Sequence, residues 1–110
     1  RVLHPGLPSH PGHELFKRDF LGSCGLMSFE LAPVSDVQVA ALCNGRRHFA
    51  IGYSWGGFES LIMPARLGSV RTVRPWQGGP LVRLHCGLED ADALIADLEE
   101  GLAALAAARG

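Results

Sequence analysis

Residues 81–98 read Leu81-Val82-Arg83-Leu84-His85-Cys86-Gly87-Leu88-Glu89-Asp90-Ala91-Asp92-Ala93-Leu94-Ile95-Ala96-Asp97-Leu98, and the apolar period changes part-way through them. Val82, Leu84 and Cys86 share one face of a strand, which places Leu81, Arg83 and His85 together on the opposite face. From Ala91 onward the spacing is helical: Leu94, Ile95, Leu98, Leu102 and Leu105 form one stripe, and Glu89, Asp90 and Asp92 sit at the positive end of the helix dipole. Gly101 interrupts that helix and by propensity alone weakens it by about 1 kcal/mol.

Upstream, Met27, Phe29 and Leu31 alternate with Ser28 and Glu30, which predicts a half-buried strand. Ser35 then opens a helix. Its hydroxyl can cap while Gln38 reaches back, Val34 can staple onto Val39, and Gly45 supplies a left-handed stop. Phe49, Ile51 and Tyr53 alternate with Ala50 and Gly52 in a further strand, and Leu61, Ile62 and Met63 form a short run expected to end before Pro64. His13 to Phe20 reads as a short helix stopped by Gly22, while residues 7–12 and 65–80 read as loops rich in turn formers. The strand-like start at Arg1-Val2-Leu3 needs a partner to pair with and reads as the continuation of a longer chain. The order strand, helix, strand, strand, strand, helix predicts one α/β domain over residues 1–110, with helices on one face of a mainly antiparallel sheet, an α+β sandwich.

Composition narrows the classes of function. A hydrophobic fraction of 47% with 19% charged residues is that of a globular chain, and no apolar run is long enough to span a bilayer, so no membrane association is expected. Ten basic against eleven acidic residues leave no positive field for a phosphate backbone, so nucleic acid is not an expected partner. Cys24, Cys43 and Cys86 are odd in number and widely spaced, which points to a reducing, cytoplasmic setting rather than a disulfide framework.

Several patterns have a plain reading beside a chemical one. Gly52-Tyr53-Ser54-Trp55-Gly56 fits the G-x-S-x-G turn of serine hydrolases, but a β-like run rather than a helix follows, and no His lies beyond Asp90, Asp92 or Asp97 to complete the usual order. His10-Pro11-Gly12-His13 and His85-Cys86 lack the paired spacing of zinc ligands, so no metal is expected. Arg46-Arg47-His48 reads as a solvated turn. Arg83 is different, because a guanidinium in a strand must either pair with an acid such as Glu89 or face a cleft.

Three stretches then act together: His13-Glu14-Leu15-Phe16-Lys17-Arg18-Asp19-Phe20, Tyr53-Ser54-Trp55-Gly56-Gly57-Phe58-Glu59-Ser60-Leu61-Ile62, and Arg83-Leu84-His85-Cys86-Gly87-Leu88-Glu89-Asp90. In this order they resemble the small C-terminal domain of cystathionine β-lyases, in the Cys/Met-metabolism family of fold-type-I pyridoxal-phosphate (PLP) enzymes. The synthases and γ-lyases of that family tend to carry Leu where this chain has Trp55. The resemblance implies that Arg83 binds the α-carboxylate of an amino-acid substrate, that Ser54 is a polar orienting group beside the cofactor, and that Trp55 shapes the substrate site. It assigns no catalytic residue and no direct cofactor ligand to this chain. The cofactor implied is PLP, held by a large domain upstream, since the chain's one lysine, Lys17, does not stand in the family's cofactor-lysine motif. The implied reaction is β-elimination of L-cystathionine to homocysteine, pyruvate and ammonia in methionine biosynthesis, by a cytoplasmic homotetramer. The alternatives are a related transsulfuration enzyme of the γ-synthase or γ-lyase type and a non-catalytic amino-acid-binding module.

Overall fold

The alternating stretches pair into one five-stranded sheet in a computed structural model that describes residues 1–109. The elements in chain order are β1 (Val2–Leu3), α1 (His13–Asp19), β2 (Leu26–Glu30), α2 (Asp36–Cys43), β3 (Ala50–Ile51), β4 (Leu61–Ala65), β5 (Leu81–His85) and α3 (Ala91–Ala107). The strand order is β1-β2-β5-β4-β3. Neighbours are antiparallel except β3 and β4, which are parallel, so the expected mainly antiparallel sheet is present with one parallel edge pair.

The register explains which face is which. Met27, Leu84 and Ile62 lie in one row across β2, β5 and β4, and Phe29, Val82 and Pro64 in the next. Val82, Leu84 and Ile62 are buried in one cluster with Val39 and Leu42 of α2 and Leu94 of α3, so both helices cover this face. Ser28, Arg83 and Met63 form a row on the opposite face, beside the row Leu26, His85 and Leu61. The parity read from residues 81–86 therefore holds.

α2 begins as its sequence predicts: the Ser35 hydroxyl accepts from the Gln38 N–H, and the Gln38 side chain accepts in turn from the Ser35 N–H at 3.0 Å. Gly45, just past the helix, has φ of 72°. Asp90 caps α3, its carboxylate accepting from the Ala93 N–H at 3.1 Å. Gly101 is not merely a weak point. A Cβ there would lie 2.8 Å from Leu42 Cδ1 and 3.0 Å from the Leu42 carbonyl oxygen, so the missing side chain is what lets α3 approach α2.

Three boundaries and one turn differ from the sequence reading. β4 continues through Pro64, because Ser60 and Ile62 turn their carbonyls toward β3 and Pro64 faces the same side beyond the end of that strand, where no N–H is required. β3 is only Ala50–Ile51, since the chain from Gly52 leaves the sheet. α1 ends at Asp19, with Phe20 already extended and stacked on Phe16 at 5.4 Å, and it buries none of its residues. The turn at Arg46-Arg47-His48 is not simply solvated. Asp97 of α3, 2% exposed, accepts the N–H groups of Arg47, His48 and Phe49 at 2.8, 2.8 and 3.1 Å, and Arg46 donates to the Asp97 carbonyl at 2.9 Å.

Candidate functional site

On the face of the sheet away from α2 and α3, the chain after β3 folds back over the end of β5. β5 is the central strand, and Arg83 and His85 stand on that face two residues apart. The Arg83 guanidinium donates to the carbonyl oxygen of Tyr53. His85 receives the Gly56 N–H at Nδ1 (3.3 Å), while its Nε2 meets the Gly57 carbonyl at 2.9 Å. An amide N–H only donates and a carbonyl only accepts, so the ring is the neutral tautomer with the proton on Nε2.

The segment after β5 closes the same loop from below. Leu88 donates its N–H to the Phe58 carbonyl at 2.8 Å. Gly87 lies so close that a Cβ there would sit 2.1 Å from the Phe58 carbonyl oxygen, which admits no larger residue without moving backbone. Glu89 accepts from both the N–H and the hydroxyl of Ser60 at 3.0 Å, and that hydroxyl accepts from the Gly87 N–H at 2.8 Å. Burial pushes the Glu89 carboxyl up, but the hydrogen bonds from Ser60 and from its own backbone N–H, with the charge of His48, outweigh it and hold Glu89 below its ordinary value. Glu89 is thus committed to Ser60. The pairing of Arg83 with Glu89 that its spacing allowed is not made.

Arg83 instead borders an open cleft of about 640 Å³. Ser28, Ile51, Tyr53, Met63 and Val70 also line it, as does Arg66, whose guanidinium is paired with Asp36 at 3.7 Å. Such a cleft offers a planar fork of donors beside apolar walls, which suits a carboxylate joined to an aliphatic body. The cleft lining holds no amine. Lys17 lies on α1, where it pairs with Glu14 at 3.6 Å.

Ser54 and Trp55 occupy the tip of the loop between its attachments at Tyr53 and Gly56, and both are exposed, Trp55 at 62%. His85 spends both ring nitrogens on backbone, so it cannot take a proton from Ser54, and the hydrolase reading of Gly52–Gly56 has no base. The structure brings Arg83 and the Ser54-Trp55 loop together. His85, Ser60, Gly87 and Glu89 were missed as parts of one assembly; their one signal in the sequence was that His85 shares a strand face with Arg83.

The family model for "Cys/Met metabolism PLP-dependent enzyme" matches residues 1–103 of this chain. The chain is 48% identical over 109 residues to a cystathionine beta-lyase of Escherichia coli strain K12, covering 94% of this chain and 27% of that protein. It is 47% identical over 110 residues to a cystathionine beta-lyase of Haemophilus influenzae, covering 96% of this chain and 28% of that one. Among solved structures, the cystathionine gamma synthase of Xanthomonas oryzae pv. oryzae in complex with aminoacrylate and cysteine superposes with a TM-score of 0.80 at 38% identity, over 97% of this chain and 29% of that one. The chain therefore spans a little over a quarter of the length of the relatives it matches.

Proposed function

The chain belongs to the Cys/Met metabolism PLP-dependent enzyme family, and from that premise we propose that it is the substrate-binding small domain of a cystathionine β-lyase. The whole protein would cleave the Cβ–S bond of L-cystathionine and, with one water, release homocysteine, pyruvate and ammonia. The observation that supports this reading most directly is Arg83. It stands on the central strand, bonded to a carbonyl and to no carboxylate among the described residues, and it lines a mostly apolar cleft. In this role Arg83 holds the α-carboxylate, Trp55 limits where the distal part of the substrate lies, and Ser54 orients a neighbouring polar group. The greater identity to β-lyases, 48% and 47% against 38% for the γ-synthase structure, favours β over γ chemistry.

These residues do not fit as anchors of PLP itself, since the Arg83 cleft offers no lysine and Lys17 lies on α1. The cofactor's attachment is assigned to the large domain of the whole protein. A cytoplasmic homotetramer is the assembly that the family resemblance implies. Among the described residues no helix is long and apolar enough to cross a membrane.

The test is to supply the full-length, PLP-loaded protein with L-cystathionine. Pyruvate and homocysteine are expected. Release of 2-oxobutyrate and cysteine would instead place the protein with the γ-lyases, and tight substrate binding without any product would leave the amino-acid-binding module as the better reading.

A further inference from the structure

We propose that His85 is a positioning residue of this site, one of two brackets by which β5 fixes the Ser54-Trp55 tip. The inference rests on the substrate-site reading above. Arg83 and His85 project from the same face of β5, roughly 7 Å apart along the strand. Arg83 holds the Tyr53 carbonyl and His85 holds Gly56 and Gly57, so the loop is attached on both sides of Ser54 and Trp55 and at neither of them.

The side chains of this loop are not placed by packing. Tyr53 is 81% exposed, Trp55 62% and Phe58 69%. A side chain without packed neighbours is oriented by its backbone, and this backbone is oriented by its hydrogen bonds. His85 itself is 6% exposed, so its ring has little water to turn to. One ring state alone, neutral with the proton on Nε2, serves both glycines at once. The imidazole is therefore a shape-specific bracket with no nitrogen left for proton transfer.

The experiment uses the full-length, PLP-loaded protein. His85→Phe keeps a ring of similar size and removes both bonds; His85→Gln keeps one donor and one acceptor. With His85→Phe, kcat/KM for cystathionine should fall about tenfold, mostly through KM, with PLP content unchanged. Deuterium uptake should rise in peptides covering residues 53–58 and stay level in those covering α2 and α3. His85→Gln should recover part of both losses, and it carries the same test if the Phe variant does not fold. In a Trp55→Leu background the removal of the bracket should cost clearly less than tenfold, because the bracket acts through Trp55. Unchanged uptake over 53–58, or an equal fall in both backgrounds, would overturn the proposal. If the wild type lacks lyase activity, the functional reading fails by itself, and the uptake comparison still decides whether His85 holds the loop.

Discussion

Arg83 is bonded to a carbonyl, which leaves most of its five donors free for an incoming carboxylate. Lysine at this position would keep the charge and lose the planar fork. A charge-assisted hydrogen bond contributes about 1.5–3 kcal/mol, so Arg83→Lys in the full-length enzyme should lower kcat/KM by roughly one to two powers of ten, and Arg83→Ala by more. PLP loading should stay near wild type, as a spectrum of the purified protein would report. A bracing role toward Glu89 would lower the melting temperature instead, but Glu89 is taken by Ser60. Trp55 stands at the loop tip with its ring exposed, so Trp55→Leu should shift selectivity between cystathionine and cysteine or γ-substituted substrates more than it shifts cofactor content. Relative kcat/KM values across those substrates check this. Arg83 was legible at this scale because strand parity alone sets its face. The partner of Glu89 was not, since Ser60 is distant in sequence and nothing local pairs the two.

Where α2 and α3 cross, Gly101 of α3 meets Leu42 of α2. Alanine there gains up to about 1 kcal/mol of helix propensity, yet its Cβ presses on a fully buried Leu42 side chain and its carbonyl. Overpacking costs roughly 1–3 kcal/mol, so Gly101→Ala should fail to stabilise and Gly101→Val should destabilise outright in denaturant titrations. Asp97 is the other tie between these elements. Burial pushes its carboxyl up, but three backbone N–H groups and nearby Arg46 more than offset this and hold it below the ordinary value. Asp97→Ala should cost roughly 2–4 kcal/mol at neutral pH, because three donors lose their charged acceptor. A carboxyl depressed in the folded state stabilises fully above its unfolded value and loses that contribution as pH falls through the folded one. The gap between wild type and Asp97→Ala should therefore be widest near pH 7 and narrow below about pH 4, as unfolding curves across that range would show. The helices and the Ser35 cap were readable from spacing and capping chemistry. Asp97 was not singled out, because an acid within a helical stripe looks like any solvated charge until the turn it serves is placed beside it.

Taken whole, the molecule divides its sheet between two tasks. One face buries the core under α2 and α3; the other presents the cleft and the loop bracketed by β5. With the cofactor's attachment assigned elsewhere in the full-length protein, the isolated chain mixed with PLP and cystathionine should form no pyruvate above the free-PLP background, whereas the intact enzyme should. The sequence by itself determined the element order, the parity that sets Arg83 against Val82 and Leu84, the Ser35 cap and the family. Each of these rests on residues close together in the chain or on a motif kept in order. Tertiary structure alone decided that Pro64 lies within a strand, that Glu89 serves Ser60, that Asp97 holds the turn before β3, and that His85 brackets the glycines beside Trp55. All four depend on partners from different elements, and a hydrogen bond across 28 residues, such as that from His85 to Gly57, exists only once the sheet register has brought its two ends together.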